Sequence, residues 1–88
     1  QHGRTIQDLN EAIRLNPQAV LAYHDRGAAY HKLGQYERAI QDFDEAIRLD
    51  PQNGQAYALR GGINQALGKD SAAAGDFQKA KELGFLLP

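Results

Sequence analysis

Residues 23–51 read YHDRGAAYHKLGQYERAIQDFDEAIRLDP, and the chain on both sides of this stretch repeats it imperfectly. The repeat period is 34 residues, which is the separation of Pro17 from Pro51. The forward matches include Ala22-Tyr23 with Ala56-Tyr57, Arg26-Gly27 with Arg60-Gly61, Leu33-Gly34 with Leu67-Gly68, Asp42-Phe43 with Asp76-Phe77, and Ala46 with Ala80. Backward, residues 4–15 match residues 38–49 at most positions. A period of about 20–50 residues indicates an array of stacked units, each packed mainly on its neighbours.

The composition excludes several classes of protein. The 88 residues carry 10 basic and 11 acidic side chains, for a net charge of −1, so no strong field attracts nucleic acid or an anionic membrane. Cysteine is absent, which removes disulfides and thiolate chemistry but does not assign a compartment. No apolar run approaches the about 20 residues that a membrane span needs. We expect a soluble protein, with the cytoplasm slightly favoured as its location.

Hydrophobic spacing predicts five helices and no strand. Apolar residues recur three and four positions apart, and each such stretch ends at a proline or a glycine. The predicted helices cover residues 1–15, 19–33, 36–49, 54–67 and 70–83. Gly27 and Gly61 lie inside helices, where a glycine costs about 1 kcal/mol relative to alanine. We therefore expect another helix to cross closely at each of them.

The repeated pattern resembles the tetratricopeptide repeat. The residues that carry the resemblance are Tyr23, Gly27, Tyr30, Leu33-Gly34, Tyr36, Ala39, Phe43, Ala46 and Pro51. The resemblance implies an all-α solenoid of antiparallel helix pairs wound as a right-handed superhelix. Residues 1–16 would be the second helix of an incomplete repeat, 17–50 and 51–84 two complete repeats, and 85–88 a tail. Arg26 and Arg60 depart from the family, which often has leucine there, and we interpret them as ion-pair partners.

The resemblance also implies a binding groove along the first helix of each repeat. Its predicted residues are Leu21, His24, Asp25, Ala28, His31, Lys32, Gln55, Ala58, Leu59, Gly62, Gln65 and Ala66. Family members that grip the C-terminal carboxylate of heat-shock chaperones use Lys, Asn and Arg in this groove. Ala28, Gln55 and Leu59 stand where such groups are expected. We therefore expect a different specificity.

Catalytic, cofactor and metal sites are not expected. His24 and His31 are seven residues apart on one helix, hence about 10 Å apart along its axis, which is too far to share a metal ion. Both are interpreted as exposed surface histidines, with a pH-sensitive peptide contact as the alternative. The acidic residues of the second helices are interpreted as a solvated face, with pairs such as Asp44–Arg48. We expect no histidine close enough to Ser71 or Thr5 to activate it as a nucleophile. The chain is predicted not to be an enzyme.

The two ends of the array differ in their apolar residues. Ile40 and Ile47 become Ala74 and Lys81 in the last repeat, which predicts a polar end. Because the chain opens inside a repeat, we expect it to be part of something longer. Ile6, Leu9 and Ile13 are therefore predicted to form an open face that associates with another helix or a second copy. Phe85, Leu86 and Leu87 would fold back on the last helix or dock elsewhere.

Two functions remain open from the sequence. The first is a protein-interaction module that binds a partner peptide or protein segment in the groove. The second is a structural module that associates end to end through the face of Ile6, Leu9 and Ile13, as a weak homo-oligomer. No nucleic acid, membrane span or cofactor is expected in either case.

Overall fold

The computed structural model describes residues 2–85, with side chains from residue 5 onward. Five helices follow one another in this part of the chain, and it contains no strand. They are α1 (His2–Leu15), α2 (Val20–Lys32), α3 (Tyr36–Leu49), α4 (Gly54–Ala66) and α5 (Asp70–Glu82). Each helix packs on the next, which makes the molecule an all-α solenoid. The predicted fold class is confirmed, and the predicted helix ends are correct to within one residue.

Two kinds of turn connect the helices. Asn16-Pro17 and Asp50-Pro51 follow α1 and α3, where the Asn16 Oδ1 accepts from the Gln18 N–H at 3.1 Å and the Asp50 Oδ1 from the Gln52 N–H at 3.2 Å. Proline cannot continue the preceding helix, and these side-chain hydrogen bonds stabilise the turn that follows it. Gly34, Gly68 and Gly84 follow α2, α4 and α5 with φ of 77°, 77° and 85°. That left-handed conformation ends a helix and suits glycine.

The two helices of each complete repeat cross at the predicted glycines. A Cβ at Gly27 would lie 3.1 Å from the Phe43 ring, and one at Gly61 would lie 2.9 Å from the Phe77 ring. Real Cβ atoms almost never come closer than about 3.0 Å to such a neighbour, so the Phe77 ring approaches Gly61 this closely because glycine has no Cβ, and the contact at Gly27 is nearly as tight. Gly27 and Gly61 are buried, which confirms the prediction of close crossings.

Small residues form most of the core. Ala39, Ala46 and Ala56 are fully buried beside Phe43 and Ile63, the two largest side chains that lose all contact with solvent. Partly buried residues surround this cluster, namely Val20, Tyr23, Tyr30, Tyr36, Ile40, Ile47, Leu59 and Leu67. Tyr23, Tyr30, Tyr36 and Phe43 therefore contribute to the core.

The last helix differs from α3 on the side away from the core. Ala74 and Lys81, which replace Ile40 and Ile47, are exposed. Phe85 follows the glycine that ends α5, and its Cβ lies 2.9 Å from where a Cβ of Gly54 would be. Phe85 therefore folds back against the first turn of α4. Leu86 and Leu87 lie outside the described residues.

Candidate functional site

The predicted groove residues of α2 share one face of that helix, as their helical spacing requires. Leu21 is 75% exposed, the largest exposed fraction among the large apolar side chains described. Asp25, His31 and Lys32 are also exposed, and Ala28 is half-buried. This face therefore offers one apolar side chain among charged and titratable ones.

The corresponding face of α4 is nearly free of charge. Gln55, Gly62, Gln65 and Ala66 are exposed, whereas Ala58 is buried at 9% exposure. Leu59 is half-buried and packs against the core. The structure thus places a small, neutral surface on α4 at the repeat positions where α2 carries its charged one.

His24 does not match its prediction as an exposed histidine. Its ring is half-buried and meets the Phe43 ring edge to face, with the ring centres 5.5 Å apart. Its Nε2 is buried and has no hydrogen-bond partner among the described residues. His31 is exposed as predicted, 5.7 Å from the Tyr36 ring. The two histidines therefore have different environments, because His24 turns toward α3 rather than toward solvent.

Arg26 joins three helices. Its guanidinium makes two hydrogen bonds to the Asp42 carboxylate of α3, at 2.9 and 2.7 Å. The remaining Nη1 donates to the Asn10 Oδ1 of α1 at 2.8 Å. The guanidinium carbon lies 5.7 Å from the centre of the Tyr23 ring, within reach of a cation–π contact. One side chain thereby ties its own repeat together and connects it to the preceding helix.

Arg60 repeats the arrangement 34 residues later. Its Nη2 donates to Asp76 of α5 at 2.7 Å, and its Nη1 donates to Asp44 of α3 at 2.9 Å. Asn64 donates to the second Asp76 oxygen at 2.9 Å, so that buried carboxylate is well supplied with donors. Hydrogen bonding to Asp76, opposed in part by burial, raises the pKa of Arg60 above its ordinary value. The arginines are ion-pair partners, as the sequence indicated.

The acidic residues of α3 were assigned wrongly in part. Asp42 is buried rather than on the solvated face, and there it receives the bidentate hydrogen bonds of Arg26. Asp44 pairs with Arg60 and not with Arg48, whose partner is Glu45 three residues earlier. The missed signal was in the sequence, since Arg26 and Arg60 each precede an aspartate by 16 residues.

The predicted self-association face lies on α1. Ile6, Leu9 and Ile13 are each half-buried, and α1 packs against α2. The apolar side chain that α1 leaves most open is Leu15, which is 69% exposed and which sequence reasoning did not single out. The described residues contain no group of three metal-ligating side chains, and none of the five helices is long and apolar enough to cross a membrane.

Comparison with known proteins identifies the family. The tetratricopeptide repeat family model matches residues 1–62. The Arabidopsis OM64 TPR domain is 33% identical with a TM-score of 0.92, and the alignment covers 96% of this chain and 69% of that one. No curated protein sequence matches.

Two further solved structures are similar. The second TPR of Spaghetti (RPAP3), bound to the HSP90 peptide SRMEEVD, is 33% identical with a TM-score of 0.89, covering 93% of this chain and 76% of that one. A crystal structure of MamA is 31% identical with a TM-score of 0.87 over 89% of this chain, which spans only 46% of MamA.

The chain belongs to the tetratricopeptide repeat family. Its fold is that of a protein-interaction module.

Proposed function

We propose that the chain binds a short segment of a partner protein along the groove face of α2 and α4, and that it catalyses no reaction. The observation that carries this proposal is Leu21, a large apolar side chain left 75% exposed at the start of that face. Burying such a side chain against a partner contributes about 1.5–3 kcal/mol. An exposed leucine beside a charged stretch on α2 and a small neutral stretch on α4 suits a segment with one apolar anchor.

The specificity should differ from that of the Spaghetti domain. That domain is bound to the acidic peptide SRMEEVD, whose last residue, an aspartate, carries a carboxylate. Ala28, Gln55 and Leu59 of this chain offer no positive charge for that group. A carboxylate taken out of water without a charged or hydrogen-bonding partner costs several kcal/mol. We infer that the partner segment lacks an acidic C-terminus.

A peptide array tests this proposal. The wild-type chain should bind a subset of peptides with a shared apolar residue, and Leu21→Glu should remove that binding. Leu33→Glu is a matched control, because Leu33 is 44% exposed at the end of α2, outside the groove set. The SRMEEVD peptide should not bind either form. Equal loss in both variants, or retention in both, would refute binding at this face.

A structural role is the second candidate, because α1 leaves Leu15 exposed and three further apolar residues only half-buried. In that case end-to-end association would be weak, since exposed apolar area converts to affinity only after the entropic cost of association is met. No nucleic-acid partner is proposed, because the net charge is −1.

A further inference from the structure

A cleft of about 300 Å³ opens where α5 meets α3 and α4. Three helices line it: α3 contributes Ile40 and Asp44, α4 contributes Arg60 and Asn64, and α5 contributes Ala72, Gly75 and Asp76. Its volume is at the lower end of the range of about 300–1,000 Å³ that ligand sites occupy. Nothing in the groove set contributes to this cleft.

The cleft lies on the opposite side of α4 from the groove. Successive helical residues turn by about 100°, so Arg60 and Asn64 point roughly half a turn away from Ala58 and Gly62. A partner in the cleft and a partner in the groove would therefore not compete. The two surfaces can be tested separately.

The cleft exists because three positions that carry large side chains in the preceding repeat carry smaller ones in the last repeat. Asn64, Ala72 and Gly75 replace Tyr30, Arg38 and Gln41 at the same repeat positions. In the preceding repeat, the half-buried Tyr30 ring lies 6.0 Å from the Arg26 guanidinium carbon and 5.6 Å from that of Arg38. A Cβ at Gly75 would meet no atom within 4 Å, so the space is open. The last repeat keeps the arginine, as Arg60, but has Asn64 in place of the aromatic ring.

The net charge around the cleft is negative, whereas the corresponding place in the preceding repeat is positive. In the preceding repeat, Arg26 faces Asp42 and the neutral Asn10, and Arg38 adds a second positive charge. In the last repeat, Arg60 faces two carboxylates, Asp44 and Asp76. Ala72 adds no charge where Arg38 stood. The Asp44 side chain is 54% exposed and gives Arg60 only one of its oxygens, so it remains open to another cation.

We propose that this cleft binds an aromatic side chain that a partner protein presents next to a lysine or arginine. The ring takes the place that Tyr30 holds in the preceding repeat, against the Arg60 guanidinium and the Ile40 side chain. The neighbouring cation pairs with Asp44. In the preceding repeat Arg38 likewise places a cation beside the Tyr30 ring. The partner's aromatic ring and cation would thus replace the two groups, Tyr30 and Arg38, that the preceding repeat has and the last repeat lacks.

The test titrates the peptide acetyl-Gly-Tyr-Arg-Gly-amide into the isotope-labelled 88-residue chain and follows backbone amide signals by NMR. We expect shifts around Asp44, Arg60, Asn64 and Gly75, with a dissociation constant of about 1 mM. Replacing the peptide's Tyr by Leu, or its Arg by Glu, should weaken binding at least about tenfold, because each change removes one of the two proposed contacts.

Paired arginine substitutions give the decisive control. Ala72→Arg restores the side chain found in the preceding repeat and should weaken peptide binding about tenfold or more. Ala74→Arg adds the same charge two residues away, at an exposed position outside the cleft, and should leave binding unchanged. Circular dichroism checks that both variants stay helical.

Three results would overturn the proposal: no shifts up to about 10 mM peptide, shifts confined to the groove face of α2 and α4, or equal losses in the two arginine variants. Shifts confined to the groove face would support groove binding while rejecting the cleft. The proposed function and this inference therefore fail independently.

Discussion

Adjacent residues in the Arg-Gly pairs perform two different tasks at one helix crossing. Gly27 and Gly61 admit an aromatic ring, and the arginine before each of them binds the aspartate that precedes that ring. Packing and charge pairing therefore specify the same register of the second helix on the first. A slip by one residue would place a Cβ against the ring and leave a buried carboxylate unpaired at the same time.

Gly61 and Gly62 offer a matched comparison within one helix. Gly61→Ala should lower the free energy of unfolding by about 1–3 kcal/mol, because the new methyl group would lie 2.9 Å from the Phe77 ring. Gly62→Ala should raise it by up to about 1 kcal/mol, since alanine favours helix and nothing lies near. Urea denaturation measures both. Equal shifts in the same direction would show that the crossing is not at Gly61.

The aspartates that bind Arg60 should differ in their contributions. Asp76→Asn should destabilise the chain by about 3 kcal/mol, because it leaves a charge in a mostly buried network without its bidentate partner. Asp44→Asn should cost less than about 1 kcal/mol, since that carboxylate is 54% exposed. Thermal melts of both variants test the order, and a larger loss for Asp44→Asn would contradict it.

The Arg60 guanidinium should stay positively charged, so it should add no pH dependence to the stability of this network near neutral pH. Hydrogen bonding to Asp76 raises its pKa above the ordinary value, so the stability that it contributes is fully present below the pKa of arginine in the unfolded chain. It would be lost only as the pH rose through the still higher folded-state pKa.

At the scale of the helix, starts and ends follow different rules in this chain. Ends are specified by proline turns or by a left-handed glycine. Starts are weakly specified, because only α4 has a side-chain cap among α2 to α5: the Asn53 Oδ1 accepts from the Ala56 N–H at 3.1 Å. Ala19 occupies the N-cap position before α2 at nearly the same backbone angles, φ −78° and ψ 88° against −80° and 85° at Asn53.

This equivalence predicts opposite effects at the two positions. Asn53→Ala should destabilise the chain by about 1 kcal/mol, because the Ala56 N–H loses its acceptor. Ala19→Asn should stabilise it by a similar amount, since asparagine can cap α2 from the same backbone conformation. Chemical denaturation of the two variants and of the double variant provides the measurement. Destabilisation by Ala19→Asn would indicate that the two turns are not equivalent.

At the scale of the whole molecule, the two ends of the array are unlike each other. Asp8 and Leu9 correspond to Asp42 and Phe43, yet Asp8 is exposed and Leu9 only half-buried, because no described helix precedes α1. At the other end, exposed Ala74 and Lys81 replace two isoleucines, and Phe85 covers the start of α4. Any end-to-end association should therefore involve α1 rather than α5.

Sedimentation across a concentration series tests that association. We expect a weak dimer in the wild-type chain, and Leu15→Glu should shift it toward monomer without lowering the melting temperature, since Leu15 is 69% exposed. Leu21→Glu is the control, because it adds the same charge on the groove face of α2. A wild-type chain that stays monomeric at about 1 mM would remove the support for a structural role.

The sequence by itself determined the fold, because the determining signals are local and repeated. A 34-residue period, helical spacing of apolar residues and glycine or proline stops each state the same architecture. The crossings at Gly27 and Gly61 were also predictable, since a glycine inside a helix has a cost that close packing explains. The groove set followed from the resemblance to the family, and its role as a binding site stays a prediction.

Only the tertiary structure decided what depends on three helices meeting. In the structure Asp42 is buried, Asp44 pairs with Arg60 instead of the predicted Arg48, and the His24 ring contacts Phe43. Spacing along one helix cannot show such contacts, because the partner lies on another helix whose distance is set by packing. The cleft beside Arg60 has the same origin: small residues at Ala72 and Gly75 make a cavity only because α3 and α4 stand beside them.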